Sequence, residues 1–312
     1  MRRIATVSPV WGCSVEDLRA LAREAEAGGF EAIFSPEVPP YSSISNAQVF
    51  AEVTSKINVG TWIANIYMRQ PVMCAAEALT VQEVSGGRMV LGLGVSHKPV
   101  NDRFGIDMKD PIEEMRKYVA AVRSFADGTS SALTVKRELK PFPVYIAALT
   151  EKTAELAGEI ADGLMSYLAT PEYIMKLIHA MRRGAQKAGR FSDNIDSTNG
   201  IPCFISDDLE SARKAAKRGL AGYARLPFYQ RMIKNVGFGD VVEKIKSGAN
   251  PVDAFSDELL DAVALLGPAE RCREKLEAFR AAGLRLPIIV PSPVGKQSNV
   301  EVMKNVVKAF AD

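Results

Sequence analysis

Histidine is scarce in the sequence: only His97 and His179 occur among its 312 residues. Two histidines exclude the histidine-rich metal barrels and any H-E-x-x-H zinc motif, so we expect no metal site. Cysteine is also scarce, with four residues and no C-x-x-C pair. These cysteines are expected to be reduced, mostly buried thiols, as in a protein of the reducing cytoplasm.

Neither an excess of one charge nor a long apolar run is present. The chain carries 39 Lys and Arg against 37 Asp and Glu, a formal net charge of +2, and the two signs are interspersed. This balance is not that of a nucleic-acid-binding protein or of a polybasic membrane-binding surface. No run approaches the roughly 18 apolar residues of a membrane span, and no apolar signal segment precedes Pro9. We therefore expect no nucleic-acid or membrane partner and a cytoplasmic location.

Common phosphate-binding and nucleophile motifs are missing as well. The run Gly92-Leu93-Gly94-Val95-Ser96-His97 approaches a dinucleotide fingerprint, but His97 stands where the third glycine is required. Lys98-Pro99 follows and prevents an immediate helix from receiving a pyrophosphate. There is no G-x-x-x-x-G-K-[ST] loop and no G-x-S-x-G elbow. Gly92 and Gly94 are instead expected to permit close packing in a strand or the approach of a flat ligand.

What the sequence does contain is a regular alternation of short apolar runs and amphipathic segments of helical length. The predicted strands are Arg3–Val7, Glu31–Ser35, Ile57–Ile63, Arg88–Leu93, Pro143–Ala147, Gly163–Ser166, Gly200–Ile205 and Leu286–Val290. The predicted helices are one capped by Ser14 and ended by Gly28-Gly29, then Asn46–Ser55, Pro71–Val84, Pro111–Ala126, Glu151–Ile160, Pro171–Ala188, Leu209–Gly222, Pro268–Ala282 and Val300–Ala311, with a less regular helical stretch over Pro227–Ala264. Eight such units without a linker favour an α/β fold, a single (β/α)8 TIM barrel over residues 1–312 with a helical insertion before the last unit, rather than an open doubly wound sheet or two domains.

The carboxyl ends of the predicted strands hold the candidate functional residues, because that end of a barrel carries the chemistry. Glu37 follows the second strand, Trp62 ends the third and His97 follows the fourth. A histidine that titrates near neutrality suits proton donation or a hydrogen bond to a cofactor, although a lone histidine is also common as a cap or surface residue. His179 lies in mid-helix and is expected to be structural.

A candidate anion site lies in the second half of the barrel. Ala147–Glu151 joins a strand to a helix through small residues. The first N–H groups of a helix are unpaired, so a helix that begins behind small residues is a favourable place for an anion. The end of the next strand, at Ser166, adds further donors.

Three stretches of sequence carry a family resemblance. They are the run from Ala27-Gly28-Gly29 to Glu37, the block Ser85-Gly86-Gly87-Arg88-Met89-Val90-Leu91-Gly92-Leu93-Gly94, and Ala147-Ala148 followed by Leu156-Ala157-Gly158-Glu159-Ile160-Ala161-Asp162-Gly163. In these the sequence resembles the luciferase-like flavin-dependent oxidoreductases, and above all the branch that uses the deazaflavin coenzyme F420. The match covers most of residues 1–170, with a weaker one in Gly267–Val290.

The resemblance implies a barrel that holds a flavin-type ring at its mouth and is often a homodimer. Glu37 would be the acidic residue near the cofactor, and Thr61, Trp62 and Ile63 would form a strand bulge behind the ring, with a non-prolyl cis peptide at Trp62–Ile63. Ser96 and His97 would lie beside the ring. Donors to the cofactor phosphate would come from Ala147, Ala148, Leu149, Thr150, Met165 and Ser166.

The activity that the resemblance implies is hydride transfer between bound F420 and a small organic substrate, with His97 and Glu37 as the catalytic residues. The compact length and the run Gly94–Val100 favour F420 over FMN. An FMN-dependent luciferase-like monooxygenase is the alternative, and a flavin-binding relative without catalysis is another. Sugar-phosphate dehydrogenase relatives have a histidine after the acidic residue and a glutamate at the fourth strand end; Val38 and His97 stand there in this sequence, which puts that activity in doubt.

Overall fold

Parallel strands close into a barrel in the computed structural model of the chain, which describes residues 3–133 and 140–311. The strands are β1 (Ala5–Val7), β2 (Ala32–Ser35), β3 (Asn58–Thr61), β4 (Ala64–Asn65), β5 (Met89–Gly94), β6 (Val144–Ala147), β7 (Gly163–Tyr167), β8 (Asp196–Ile205), β9 (Leu265–Gly267) and β10 (Leu286–Pro291). Around the barrel they follow the order β10, β1, β2, β3, β5, β6, β7, β8, and the pairing of β8 with β10 closes the ring. This is the TIM barrel that the strand count predicts.

Helices connect the strands and form the outer layer. They are α1 (Val15–Ala27), α2 (Ser43–Val53), α3 (Pro71–Val84), α4 (Lys98–Asp102), α5 (Pro111–Ala126), α6 (Glu151–Ile160), α7 (Pro171–Lys187), α8 (Leu209–Leu220), α9 (Pro227–Asn235), α10 (Gly239–Lys246), α11 (Pro251–Ala254), α12 (Asp257–Val263), α13 (Ala269–Ala281) and α14 (Asn299–Phe310). The described part of the chain contains no helix with the length and apolarity needed to cross a membrane. That part also contains no group of three His, Cys, Asp or Glu side chains suited to a metal ion.

The predicted helix ends are most accurate where the sequence contains a strong start or stop residue. Three helices have the predicted bounds: α3 and α5, which begin at a proline, and α6, which Thr150 caps. The Ser14 cap of α1 is confirmed, since its hydroxyl accepts from the Asp17 amide and the Asp17 carboxylate accepts from the Ser14 amide. α2 begins three residues earlier than predicted, because Ser42 caps it.

The predicted helical insertion before the last unit is confirmed, with one strand added. Four helices, α9 to α12, occupy most of Pro227–Ala264. β9 follows directly and pairs with the end of β8. The sequence pattern predicts no strand at these three residues, because the apolar run that contains them continues the helical pattern without a break.

The barrel interior is filled by small and medium apolar side chains, with Phe34, Tyr145 and Met165 as its larger members. At the amino-terminal ends of the strands Arg3 closes the barrel by donating to Glu31 at 2.8 Å and to Asp196 at 2.6 Å. The bottom of the barrel is therefore held by ion pairs, and the opposite end is open for chemistry.

Arg88, in the most specific motif of the sequence, has a structural role. Its guanidinium donates to the carbonyl oxygens of Ser85 at 2.7 Å and of Thr54 at 2.8 Å, and also to that of Ile57. It thereby joins the end of α2 and the entry to β3 to the turn before β5. Gly86 and Gly87 in that turn have positive φ angles of 68° and 97°, which explains why glycine stands at both positions.

We expect Arg88→Lys to lower the free energy of unfolding by about 2–3 kcal/mol, because one ammonium group cannot reach carbonyls on three segments in the way that a planar guanidinium does. Chemical denaturation measures this change. The control is Arg218→Lys, at an exposed position of α8, which should change the free energy of unfolding by less than about 0.5 kcal/mol. Equal effects of the two substitutions would contradict the structural role of Arg88.

Candidate active site

A cavity of about 420 Å³ opens at the carboxyl ends of the barrel strands. Ten of the twelve predicted site residues line it: Glu37, Trp62, Ile63, Ser96, His97, Ala147, Leu149, Thr150, Met165 and Ser166. The structure thus brings together residues from five successive βα units, as expected for an active site on this fold.

The two remaining predicted residues, Thr61 and Ala148, are fully buried and lie outside the cavity lining. The Thr61 hydroxyl donates to the Gly92 carbonyl at 2.7 Å and accepts from the Gly92 amide at 2.9 Å. The Ala148 amide donates to the Met165 carbonyl at 2.8 Å. Both residues therefore support the cavity wall and do not present a donor to a ligand.

Between β3 and β4 the chain forms the expected bulge, and the Trp62–Ile63 peptide is cis, as the resemblance implied. Two glycines make room for the bulge. A Cβ atom at Gly94 would collide with the Ile63 side chain, and one at Gly200 would collide with the Trp62 ring. The bulge therefore places a flat apolar surface, Trp62 and Ile63, in the wall of the cavity.

Glu37 lies at the cavity edge but is held in an ion pair. The Arg69 guanidinium binds its carboxylate with two hydrogen bonds of 2.7 and 2.9 Å, and Ser43 and the Asn65 amide donate to the same carboxylate at 3.0 and 3.2 Å. Its side chain is only 7% exposed. Both oxygens of the Glu37 carboxylate therefore accept hydrogen bonds from the protein itself. This geometry is typical of an architectural residue, and the catalytic role expected of Glu37 stays a prediction.

A network of buried amides connects this ion pair to the loop that carries His97. The Asn65 side-chain amide donates to Asn101 at 2.8 Å, and the Asn101 amide donates to the Val95 carbonyl at 2.9 Å. The next residue, Ser96, has φ +56°, a conformation that residues other than glycine seldom adopt. Outliers of this kind are frequent at functional sites. The network fixes the turn that directs residues 96 and 97 toward the cavity.

His97 is packed against the insertion. Its ring lies 5.6 Å from the Phe228 ring and 5.1 Å from the Tyr229 ring, both on α9. Its Nδ1 atom is buried and has no hydrogen-bond partner among the described residues. Burial lowers the pKa of His97 from 6.5 to about 4. The expectation that this histidine titrates near neutrality is therefore wrong: at pH 7 it is a neutral imidazole. His179 lies exposed on α7 and outside the cavity lining.

Four aromatic residues of the cavity were missed by the sequence analysis: Tyr167, Tyr223, Phe228 and Tyr229. Alternation along β7 was a usable signal for Tyr167, because this residue lies two positions after the predicted site residue Met165 and so faces the same side. The other three belong to the insertion or to the short turn before it. No pattern in the sequence indicates which face of that segment meets the barrel.

The outer part of the cavity carries charge. Lys152 and Arg231 line it as exposed cations, and Asp110, the cap of α5, is an exposed anion beside them. The amide groups of Glu151 and Lys152 begin α6 and have no acceptor among the described residues. The amino terminus of α6 and the Lys152 ammonium thus present N–H donors and a positive charge at the end of the cavity where the sequence predicts an anion.

A flat apolar surface and a cationic outer end together fit a planar cofactor with an anionic tail. The apolar surface is the Trp62–Ile63 bulge, and the cationic end lies at Lys152. Such a cavity at the strand ends of a TIM barrel is typical of a barrel enzyme that binds a cofactor.

Comparison with known proteins agrees with this class. The chain belongs to the luciferase-like monooxygenase family, which matches residues 5–286. It is 25% identical over 295 residues to a 5,10-methylenetetrahydromethanopterin reductase of Methanolobus tindarius, a match covering 88% of this chain and 89% of that protein. The protein is thus a luciferase-like oxidoreductase.

Two solved structures have the same fold. The coenzyme F420 dependent tetrahydromethanopterin reductase of Methanopyrus kandleri superposes with a TM-score of 0.82 at 21% identity, covering 98% of both chains. An F420-dependent secondary alcohol dehydrogenase in complex with an F420-acetone adduct superposes with a TM-score of 0.77 at 18% identity, covering 100% of both.

The lowered pKa of His97 predicts a pH-dependent stability. Between pH 6.5 and about 4 the unfolded chain binds a proton on this imidazole that the folded protein does not, so the free energy of unfolding falls as the pH falls through this window. We expect His97→Gln to reduce the loss of stability between about pH 7 and pH 5 by about 1–2 kcal/mol. Chemical denaturation at both pH values measures the difference.

The matched control is His179→Gln, which replaces the other histidine on an exposed helix face. It should keep the full pH dependence. The same loss of stability in wild type and His97→Gln would show that His97 is not buried in its neutral form.

Proposed function

We propose that the protein is an F420-dependent oxidoreductase that transfers a hydride between the bound deazaflavin and a small organic substrate. The observation that carries this proposal is a neutral, half-buried histidine whose Nδ1 atom has no partner among the described residues, placed in one cavity with a flat apolar bulge and a cationic outer end. The reductase and the alcohol dehydrogenase described above support F420 as the cofactor.

Different residues would bind the tail and the ring of the cofactor. Backbone groups at Ala147 and Leu149, with the first amides of α6 and the Lys152 ammonium, would bind an anionic tail. The Trp62–Ile63 bulge would support the ring. When bound, the deazaflavin supplies the hydride chemistry, and the protein supplies position and electrostatics.

His97 would act on the substrate as a neutral imidazole. An N–H group of this ring donates a hydrogen bond and so polarises a carbonyl oxygen, while a neutral imidazole is too weak an acid to protonate it outright. In a reduction the hydride joins the carbon and a proton from water joins the oxygen. His97 therefore orients and polarises the substrate, whereas Glu37 holds the loop beneath it through Arg69 and Asn65.

An FMN-dependent monooxygenase is the second candidate, and the family description favours it.

The expectations of a homodimer and of a cytoplasmic location stay predictions, which light scattering and cell fractionation would check.

Titration of the cofactor-free protein with F420 and, in parallel, with FMN distinguishes the two candidates. We expect saturable binding of F420, followed by its absorbance and fluorescence, at least tenfold tighter than that of FMN. Lys152→Gln should weaken F420 binding about threefold to tenfold, because a partly exposed ion pair with the tail is lost. Lys214→Gln, on the exposed face of α8, is the control and should leave the affinity unchanged. Saturable binding of FMN alone would overturn the proposal.

A second experiment tests His97 during turnover, with reduced F420 and a panel of small aldehydes and ketones as acceptors. We expect His97→Gln to lower kcat by about 10- to 1000-fold, because the polarising hydrogen bond is misplaced, while the Kd for F420 changes less than about twofold. His179→Gln should keep wild-type rates. Unchanged turnover in His97→Gln would exclude the role given to His97.

A further inference from the structure

The cavity has an aromatic wall, formed by Trp62, Tyr167, Tyr223, Phe228 and Tyr229. The Trp62 and Tyr167 rings lie 5.0 Å apart at 86°, Tyr167 and Tyr223 lie 5.2 Å apart at 69°, and Tyr223 and Tyr229 lie 4.7 Å apart at 70°. Edge-to-face packing of this kind fixes each ring by its neighbours, so the wall is rigid. Three of its five members come from the insertion or the turn that leads into it.

The wall contains no charge. Burial raises the pKa of all three tyrosines above the usual range, so their hydroxyls stay protonated. Next to the wall, His97 is neutral. An anionic group bound against these rings would lose its hydration without gaining a counter-ion, which is strongly unfavourable.

The charged residues of the cavity are either neutralised or peripheral. Glu37 is paired with Arg69, and Asp110, Lys152 and Arg231 are exposed at the outer end. This distribution places an anionic cofactor tail at the rim and an uncharged reacting partner inside. It does not provide for a substrate that carries a negative charge next to its reacting carbon.

The volume of the cavity also limits the size of the substrate. Its volume of about 420 Å³ lies near the lower end of the range of roughly 300–1,000 Å³ found for small-molecule sites. A cofactor ring and a substrate have to share this space. The substrate part that enters is therefore small, and a flat shape makes the best use of the aromatic faces and edges.

We propose that the substrate presents an uncharged, planar carbonyl group, aromatic or conjugated, which binds between His97 and the aromatic wall of the insertion. This inference rests on the proposed function and narrows its substrate class. Phe228 is its specificity-determining residue, since its ring contacts His97 and belongs to the insertion.

The test uses the protein saturated with oxidised F420, a state in which an aldehyde binds without reacting, and follows binding by ligand-observed NMR. The probes are benzaldehyde, methyl 4-formylbenzoate, 4-formylbenzoate and cyclohexanecarbaldehyde. We expect benzaldehyde to bind at least fivefold tighter than its saturated analogue. The neutral ester should bind at least tenfold tighter than the carboxylate of nearly the same shape.

Phe228→Leu should weaken benzaldehyde binding about threefold to tenfold and reduce its advantage over cyclohexanecarbaldehyde. Phe191→Leu is the matched control, because Phe191 is 80% exposed and lies outside the cavity, and it should change neither affinity. Arg231→Gln tests whether the site instead prefers an anionic substrate. Tighter binding of 4-formylbenzoate that is lost in Arg231→Gln would show an anionic substrate and overturn the proposal.

Two other results separate this proposal from the one on which it rests. Equal binding of the planar and the saturated aldehyde, or binding of no probe to protein that does bind F420, overturns the substrate class and leaves the F420 function standing. Failure of the protein to bind F420 in the preceding titration overturns the proposed function itself.

Discussion

The architecture of the site depends on two hydrogen bonds between the Thr61 hydroxyl and the backbone of Gly92. β3 pairs with β5 only as far as Gly60, and the pairing resumes through β4 after the bulge. In the gap a threonine side chain satisfies both polar groups of Gly92, which would otherwise be buried without partners. The barrel can therefore interrupt one strand without opening its wall, and the interrupted residues, Trp62 and Ile63, become the surface of the cavity.

The interior of the site is electrically neutral, and this follows from how its ionisable groups are arranged. Glu37 is neutralised by Arg69, and burial keeps His97 unprotonated. Uncharged amides, those of Asn65 and Asn101, connect this ion pair to the loop of His97. The cations in the cavity lining, Lys152 and Arg231, lie at the rim. A ligand with one anionic end and one neutral planar end would therefore bind in a single orientation, set by solvation as much as by contacts.

The sequence predicted the barrel because each local pattern agreed with it. Pro71 and Pro111 mark helix starts, and the alternation of strand and helix gave the topology. Most of the predicted site residues line the cavity, since strand ends in this fold converge. The roles of the site residues were harder to predict than their positions. That Glu37 is bound by Arg69, far along the chain, is a tertiary contact with no local pattern. The lowered pKa of His97 has the same origin, because it arises from burial against the insertion.

The insertion and the barrel therefore contribute different parts of the site, and His97 of the barrel packs against the insertion. The barrel half of the site, from Trp62 to Thr150, fits a cofactor, and α9 supplies the aromatic face that fits a substrate. His97 belongs to the barrel but owes its neutral state to burial in a site whose outer side is Phe228 and Tyr229. A polar residue at position 228 would admit water beside the imidazole and raise its pKa toward the ordinary value. Under the proposed function, changes in the insertion would alter the substrate surface and the protonation of His97 together, and so would couple specificity to chemistry.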